Sequence, residues 1–284
     1  MSLTLTDRTF TDVTIEQPLR RVVSLVPSTT ETIFALGRGE ILVGRTRYCI
    51  SPAAQVKAVP TVGGTKDPDL AAIAALQPQL VLAVKEENRR QDIEALRARG
   101  LNVYVDSPET VEEALAHVAV LGRMLDASEA ADDIVRVGAR AVVGYRERAA
   151  EREQTHSLRV QAPPHPRPRV MAFIWKDPWM AVGRDTYLGD VIATLGGTHV
   201  LARHPDRYPR LEPAQVEAFE PDILLFPSEP WHFKEADLDF WREQFPHLPA
   251  VRHNRLRLCD GQDAVWFGAR TPAALKRLAP LLEW

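Results

Sequence analysis

Six tryptophans, Trp175, Trp179, Trp231, Trp241, Trp266 and Trp284, all fall in the second half of the 284-residue sequence. Four of them stand in segments that read as loops beside polar or turn residues: Trp175-Lys176-Asp177-Pro178-Trp179, Pro230-Trp231-His232-Phe233 and Val265-Trp266-Phe267. Large rings at strand ends can stack on a flat apolar ligand while their N–H groups stay wet; the competing role is to cap the core of the C-terminal half. Glu86 and Glu87 close one strand tip, and Glu229 closes another with His232 just beyond it. A carboxylate with an imidazole can bind a divalent metal or give an axial ligand to a chelated one, with Cys49 and Asp177 as further donors. No H-E-x-x-H or comparable spacing accompanies them, so Glu229 and His232 are weak metal candidates and a hydrogen-bonding or solvated role is the plainer expectation. Lys66, Arg89, Arg184 and Arg207 lie in or beside the same tips and suit propionates, carboxamides or a phosphate, although surface solvation serves any one of them equally well.

Catalytic signatures are missing. There is no P-loop, no G-x-G-x-x-G and no G-x-S-x-G in a fitting context, and nothing supplies a nucleophile for Glu229 and His232 to assist, so binding without catalysis is expected. Thirty-five Lys and Arg against 38 Asp and Glu give a net charge of -3, which does not favour nucleic acid or an anionic membrane as partner. Cys49 and Cys259 are far apart and form no C-x-x-C pair, so both are expected as free thiols. The first twenty residues hold Asp7, Asp12 and Glu16 and no apolar run of signal-peptide or membrane-anchor length. The chain as written is therefore expected in the cytoplasm, or in the periplasm or at the cell surface if a leader has been removed.

The elements that must position these side chains come in two similar sets. The run Arg20 to Gly37, RRVVSLVPSTTETIFALG, reads as a buried strand handing over at Pro27 to a helix, with Ser28-Thr29-Thr30-Glu31 spaced as a capping box and Gly37 as the C-terminal cap. Asp69 to Glu87 and Glu212 to Pro230 share one layout of short helix, proline stop, buried strand and acidic tip. The pairs Pro78 and Pro221, and Glu86 and Glu229, are each separated by 143 positions. RVMAFIW, Arg169 to Trp175, resembles the opening strand RVVSLVP, Arg21 to Pro27. Between the two sets, Ser128 to Gln154 carries apolar residues at helical spacing over a length of about 40 Å. The proline-rich stretch 160–169 is expected as an extended surface connection. The fold class expected is α/β: two Rossmann-like lobes with parallel sheets joined by one long α-helix, as an N-terminal lobe (1–127), a connecting helix (128–156) and a C-terminal lobe (157–284).

With RRVVSLVPSTTETIFALG, VGRTRYC, VGGTKDPDLAAIAALQPQLVLAVKEENR, IWKDPWM, GGTHVL, RYPRLEPAQVEAFEPDILLFPSEPWHF and VWFGARTP, the chain resembles the class III, helical-backbone periplasmic binding proteins of ABC importers. The likeness is greatest to the helical-backbone metal receptor or cobalamin-binding branch. It implies capture of a metal chelate, a corrinoid such as cobalamin, a ferric siderophore or haem, in a cleft between the lobes, by a monomer without an intrinsic cofactor. The candidate ligand-binding residues are Ser28, Thr29, Tyr48, Lys66, Glu86, Arg89, Trp175, Trp179, Tyr187, Arg207, Glu229, Trp231 and Trp266. Two departures from the family pattern stand out. A Cys-x-His-Pro run of relatives reads Cys49-Ile50-Ser51-Pro52 here, which removes a metal donor. The glutamates that relatives offer to the permease match Ala71 and Ala214, with Asp69 and Glu212 two positions earlier as expected helix caps. The alternative is a cytosolic binder, chaperone or enzyme that acts on a corrinoid or tetrapyrrole without a transport role.

Overall fold

The computed structural model describes residues 1–156 and 166–283. Most of the proline-rich connection and Trp284 lie outside the described residues. The chain divides into two units: 1–108 with 114–137 and 267–270, and 109–113 with 138–266 and 271–284.

The first unit opens with an antiparallel hairpin, β1 (Ser2–Thr6) and β2 (Asp12–Glu16). A four-stranded parallel sheet follows, built from β3 (Val22–Ser24), β4 (Leu42–Arg45), β5 (Leu80–Val84) and β6 (Val103–Asp106) in the order β4-β3-β5-β6. Its helices are α1 (Pro27–Ala35), α2 (Ala53–Val56), α3 (Leu70–Ala75), α4 (Arg90–Ala98) and most of α5 (Val111–Met124). Strand alternation splits the core in two. Val22, Leu80, Leu82 and Tyr104 face Ile33 of α1, Leu36 at its C-cap, and Val118 and Leu121 of α5. Val23, Val81, Ala83, Val103 and Val105 face Ile73 of α3 and Ile93 and Leu96 of α4. Both sheet faces are thus buried, which is why β5 reads as an unbroken apolar run.

From α5 the chain enters α6 (Ser128–Thr155), a helix of 28 residues that belongs to the first unit up to Val137 and to the second from Gly138. The second unit carries β7 (Arg169–Trp175), β8 (Met180–Ala181), α7 (Tyr187–Thr194), β9 (Thr198–His199), α8 (Pro213–Val216), β10 (Ile223–Pro227), α9 (Glu235–Gln244), α10 (Pro249–Arg252), β11 (Leu256–Cys259), α11 (Gly261–Val265) and α12 (Thr271–Leu278). β11, β10, β7 and β9 pair in parallel. β8 departs from the parallel expectation: only four residues separate it from β7, too few for a crossover, so it pairs antiparallel.

The repeat seen in the sequence extends to individual hydrogen bonds. β5 and β10 are offset by the same 143 positions as their preceding prolines. Gln77 and Glu220, immediately before those prolines, both take positive φ, 46° and 39°. The guanidinium of Arg21 donates to the Leu76 carbonyl and that of Arg169 to the Phe219 carbonyl, each closing a helix end against the first strand of its sheet. Gln79 Oε1 accepts from the Arg20 and Arg21 N–H groups, and Asp222 Oδ2 does the same for Arg169. The first helix of each sheet ends alike. Gly37 (φ 73°) and Gly196 (φ 91°) are left-handed, and Gly37 and Arg38, like Gly196 and Gly197, return their N–H groups to the last turn in a Schellman arrangement.

Candidate ligand-binding site

In an open parallel sheet, ligands bind beyond the carboxyl ends of the strands where the winding direction reverses. In the first unit that point lies between β3 and β5, because the chain leaves β3 for β4 on one side and returns to β5 on the other. Leu25 to Thr29 follow β3 there, and Lys85 to Arg89 follow β5. α1 begins at Pro27 with Val26 as its N-cap in extended geometry (φ -136°, ψ 131°), and no side chain caps it. The capping box expected from Ser28 and Glu31 does not form. Proline's fixed φ starts the helix one residue earlier, so Ser28 is already inside it. Glu31 instead binds Arg270, whose Nε and Nη2 donate to its two oxygens at 2.8 and 2.5 Å, and accepts from Ser51 Oγ at 2.8 Å.

Ser28 and Thr29 are buried, 4% and 1% exposed. Thr29 Oγ1 lies 3.5 Å from His117 Nε2, and His117 Nδ1 donates to Asp106 Oδ2 at 2.6 Å. Burial alone would raise the Asp106 carboxyl, but the bond and charge of His117, the Ser107 N–H and Arg8 overcome it and hold the group below the usual range. Lys66 is exposed and donates its Nζ to the Glu86 carbonyl, so the 63–67 turn and the tip after β5 are joined. Glu86 is half-buried, and Arg89 is exposed at the N-cap of α4. Tyr48 is one of the large exposed side chains, with the Arg47 guanidinium 5.0 Å from its ring centre.

In the second unit the reversal falls between β7 and β10. Trp175 ends β7 and is 38% exposed; its ring meets that of Trp231, in the tip after β10, edge to face at 5.2 Å. The Trp231 N–H donates to the Ile174 carbonyl at 3.2 Å, tying the two strand ends together. Trp266 is buried and donates Nε1–H to Glu229 Oε2 at 3.0 Å, so this carboxylate is held by an indole beside the aromatic pair. Like α1, α7 has no side-chain N-cap: Thr186 Oγ1 donates back to the Gly183 carbonyl. The first helix after each first strand thus keeps its N-terminal N–H groups clear of capping side chains, whereas Asp69 Oδ1 caps α3 through the Ala71 and Ala72 N–H groups.

Several residues expected at the site have other surroundings. Trp179 is a core ring, 7% exposed, packed against Phe173, Phe226, Phe233, Phe240 and Trp241. The aromatic wall therefore loses it: the residue just before β8 turns its ring into the second unit's core instead of out of the loop. Tyr187 is buried, its hydroxyl 2.9 Å from Thr271 Oγ1, and burial raises its pKa; it braces α7 against α12 and offers no face to a ligand. Arg207 donates Nη1 to Glu109 Oε1 at 2.5 Å, and its charge is matched within its own unit. Cys49 is fully buried with Thr30 Oγ1 and Thr46 Oγ1 at 3.1 and 3.2 Å, so it drops out as a metal donor, and burial raises its thiol pKa against those bonds. His232 is exposed, and among the described residues no group of three His, Cys, Asp or Glu is close enough to hold a metal ion. Both cysteines are free thiols.

Asn88, which sequence reasoning passed over, is 4% exposed and bonds three separate segments at the first unit's edge. Its position inside KEENR, as the one amide among charged residues at a strand tip, was the available signal.

The sequence model of a family described as periplasmic binding protein matches residues 22–262. A vitamin B12-binding protein of Vibrio parahaemolyticus is 25% identical over 94% of this chain and 90% of its own length. Among solved structures, the periplasmic vitamin B12-binding protein BtuF of Vibrio cholerae superposes with a TM-score of 0.78 at 20% identity, covering 93% of this chain and 97% of that one. The heme-binding protein HmuT gives 0.77 at 22% identity, with 99% and 90% covered. These two likenesses concern the fold. Two sheets with the same winding, a long helix running from one unit into the other, and a family match over most of the sequence lead to one conclusion: the chain belongs to the periplasmic binding protein family.

Proposed function

We propose that this protein is a substrate-binding component of an ABC importer that captures a metal chelate of the corrinoid class. The observation that carries the reading is the Trp175 and Trp231 pair. Two large rings in edge contact, one of them substantially exposed, stand at a strand reversal beside a carboxylate already oriented by Trp266. Such a surface suits a bulky, partly apolar ring with amide-bearing arms: the indoles take its face and Glu229 its polar rim, while Glu86 and the exposed cations Lys66 and Arg89 are the polar candidates at the corresponding strand ends of the first unit. A corrinoid brings its cobalt already chelated and needs no protein metal site. The name of the vitamin B12-binding relative, similar over nearly its whole length, supports the same choice. Work outside the cytoplasm goes with this reading.

The test is titration of the purified protein with cyanocobalamin, haemin and a ferric siderophore, following intrinsic tryptophan fluorescence and the ligand's absorbance. Saturable quenching that is tightest for cyanocobalamin supports the reading. Tightest binding of haemin would move the ligand class to tetrapyrroles.

A further inference from the structure

We infer that Asn88 is the positioning residue of the first unit's binding edge: one buried amide that fixes three ligand-facing segments relative to one another. The inference rests on the binding role proposed above and adds a residue to it.

The Asn88 side chain uses its acceptor and both donors. Oδ1 accepts from the Val84 N–H at 2.9 Å, where β5 ends. Nδ2 donates to the Leu25 carbonyl at 3.3 Å, where β3 passes into α1, and to the Thr65 carbonyl at 3.0 Å, in the turn that carries Lys66. The amide's orientation follows from its partners, since only oxygen can accept from an N–H and only nitrogen can donate to carbonyls. Asn88 also returns its own N–H to the Val84 carbonyl at 2.9 Å, which closes the tip bearing Glu86. The junction before Ser28, the turn with Lys66 and the tip with Glu86 and Arg89 therefore share one hub, lying where the winding reverses between β3 and β5.

The repeat marks the same position independently. Asn88 advanced by the offset of 143 is Trp231, whose N–H spans the corresponding gap to the Ile174 carbonyl and whose ring lines the second unit's edge. In one unit the bridging residue presents an aromatic face; in the other it is buried and acts through the loops it holds. No other uncharged side chain of this size offers one acceptor and two donors. Aspartate keeps the acceptor for Val84 but turns a carboxylate oxygen toward two carbonyls, and alanine leaves all three partners unmet in a buried place.

The full-length protein and its Asn88→Ala, Asn88→Asp and Asn88→Ser variants are to be compared with Leu96→Ala. Leu96 is fully buried in the same unit's core and its side chain makes no hydrogen bond to these loops. Melting temperature, and association and dissociation rates for cyanocobalamin and haemin, are measured for each. The Asn88 variants are expected to lose about tenfold to a hundredfold in affinity, the usual scale for removing a group that orients binding residues. The loss should fall mainly on the association rate, while Leu96→Ala, with an equal or larger fall in melting temperature, binds within a few fold of wild type. Equal affinity losses at equal destabilisation would overturn the inference, as would wild-type binding by Asn88→Ala. Amide hydrogen exchange separates this result from failure of the function. If wild type binds neither chelate, the proposed function is wrong and exchange alone decides the hub: selective acceleration at 64–66 and 86–88 in Asn88→Ser supports it, and unchanged or uniform exchange rejects it.

Discussion

Truncating Trp231 and truncating Trp179 should have opposite consequences, although the two read alike in the sequence. Trp231→Ala is expected to weaken chelate binding by about 1 to 3 kcal/mol, the range for one stacking ring at a packed site, and to cost less stability than Trp179→Ala because its ring is only partly buried. Trp179→Ala should instead cost about 3 to 5 kcal/mol of folding stability, because its cavity opens among five aromatic neighbours. Denaturation curves and binding isotherms of the two variants decide it, and similar profiles would mean the rings are wrongly assigned. The difference was hidden in the sequence because those neighbours come from β7, β10, α9 and the loop before α9, and only the tertiary fold assembles them. Glu31 was hidden for the same reason. Its local pattern suits a cap, but its partner Arg270 lies 239 positions away, and both side chains are mostly shielded, 17% and 15% exposed. Arg270→Ala should cost on the order of 3 kcal/mol by leaving Glu31 desolvated, measurable by urea denaturation. His199 adds a pH dependence. Its Nε2–H donates to the Val182 carbonyl, and burial outweighs that bond to lower its pKa. The unfolded chain takes up this proton near pH 6.5, before the folded chain does. Stability due to the neutral ring is therefore complete above about pH 6.5 and falls as pH drops through the lower folded value. The wild type should lose more stability than His199→Gln between neutral pH and about pH 5; parallel losses would exclude His199 as the source.

At the scale of elements, the repeat was legible because it is written in punctuation. A proline stop after a short helix, an apolar strand and an acidic tip recur at a constant spacing, and backbone geometry follows that spacing down to the positive φ of Gln77 and Glu220. The long helix was legible from its apolar period, and the structure runs it from Ser128 to Thr155. The opening hairpin was not legible, since its alternation is carried by threonines and by few apolar residues in two strands of five. β8 was missed because two residues carry no periodicity. The same two-fold layout bears on docking. Ala71 and Ala214 are exposed in α3 and α8, while Asp69 and Glu212 precede those helices, Asp69 capping α3 and Glu212 donating its N–H to Gln215 Oε1. Asp69→Ala should therefore cost about 0.5 to 2 kcal/mol of stability. If the two acids serve only their helices, the Asp69→Ala, Glu212→Ala double variant should still be captured by a cobalamin-type permease complex that captures wild type. Capture abolished by the double variant would assign docking to this acidic pair.

Across the whole molecule, the sequence separates into two units that exchange short segments: 109–113 goes with the second and 267–270 with the first. Glu109 meets Arg207 and Asp190 accepts from the Val111 N–H in one unit, while Phe267 packs edge-on to His117 and Ala269 bonds Thr32 in the other. None of this exchange was visible in the sequence, because it depends on which distant surface each short segment finds. The position of the strand tips was more legible: Glu86, Glu229, Trp175 and Trp231 all stand at the strand reversals, at the carboxyl ends of parallel strands. Chelate capture by these tips is decided by equilibrium titration of the intact protein with cyanocobalamin, haemin and a ferric siderophore. Saturable quenching of tryptophan fluorescence at one chelate per chain, tightest for cyanocobalamin and weakened by Trp231→Ala, is the predicted result. Absence of saturable binding to all three would contradict it.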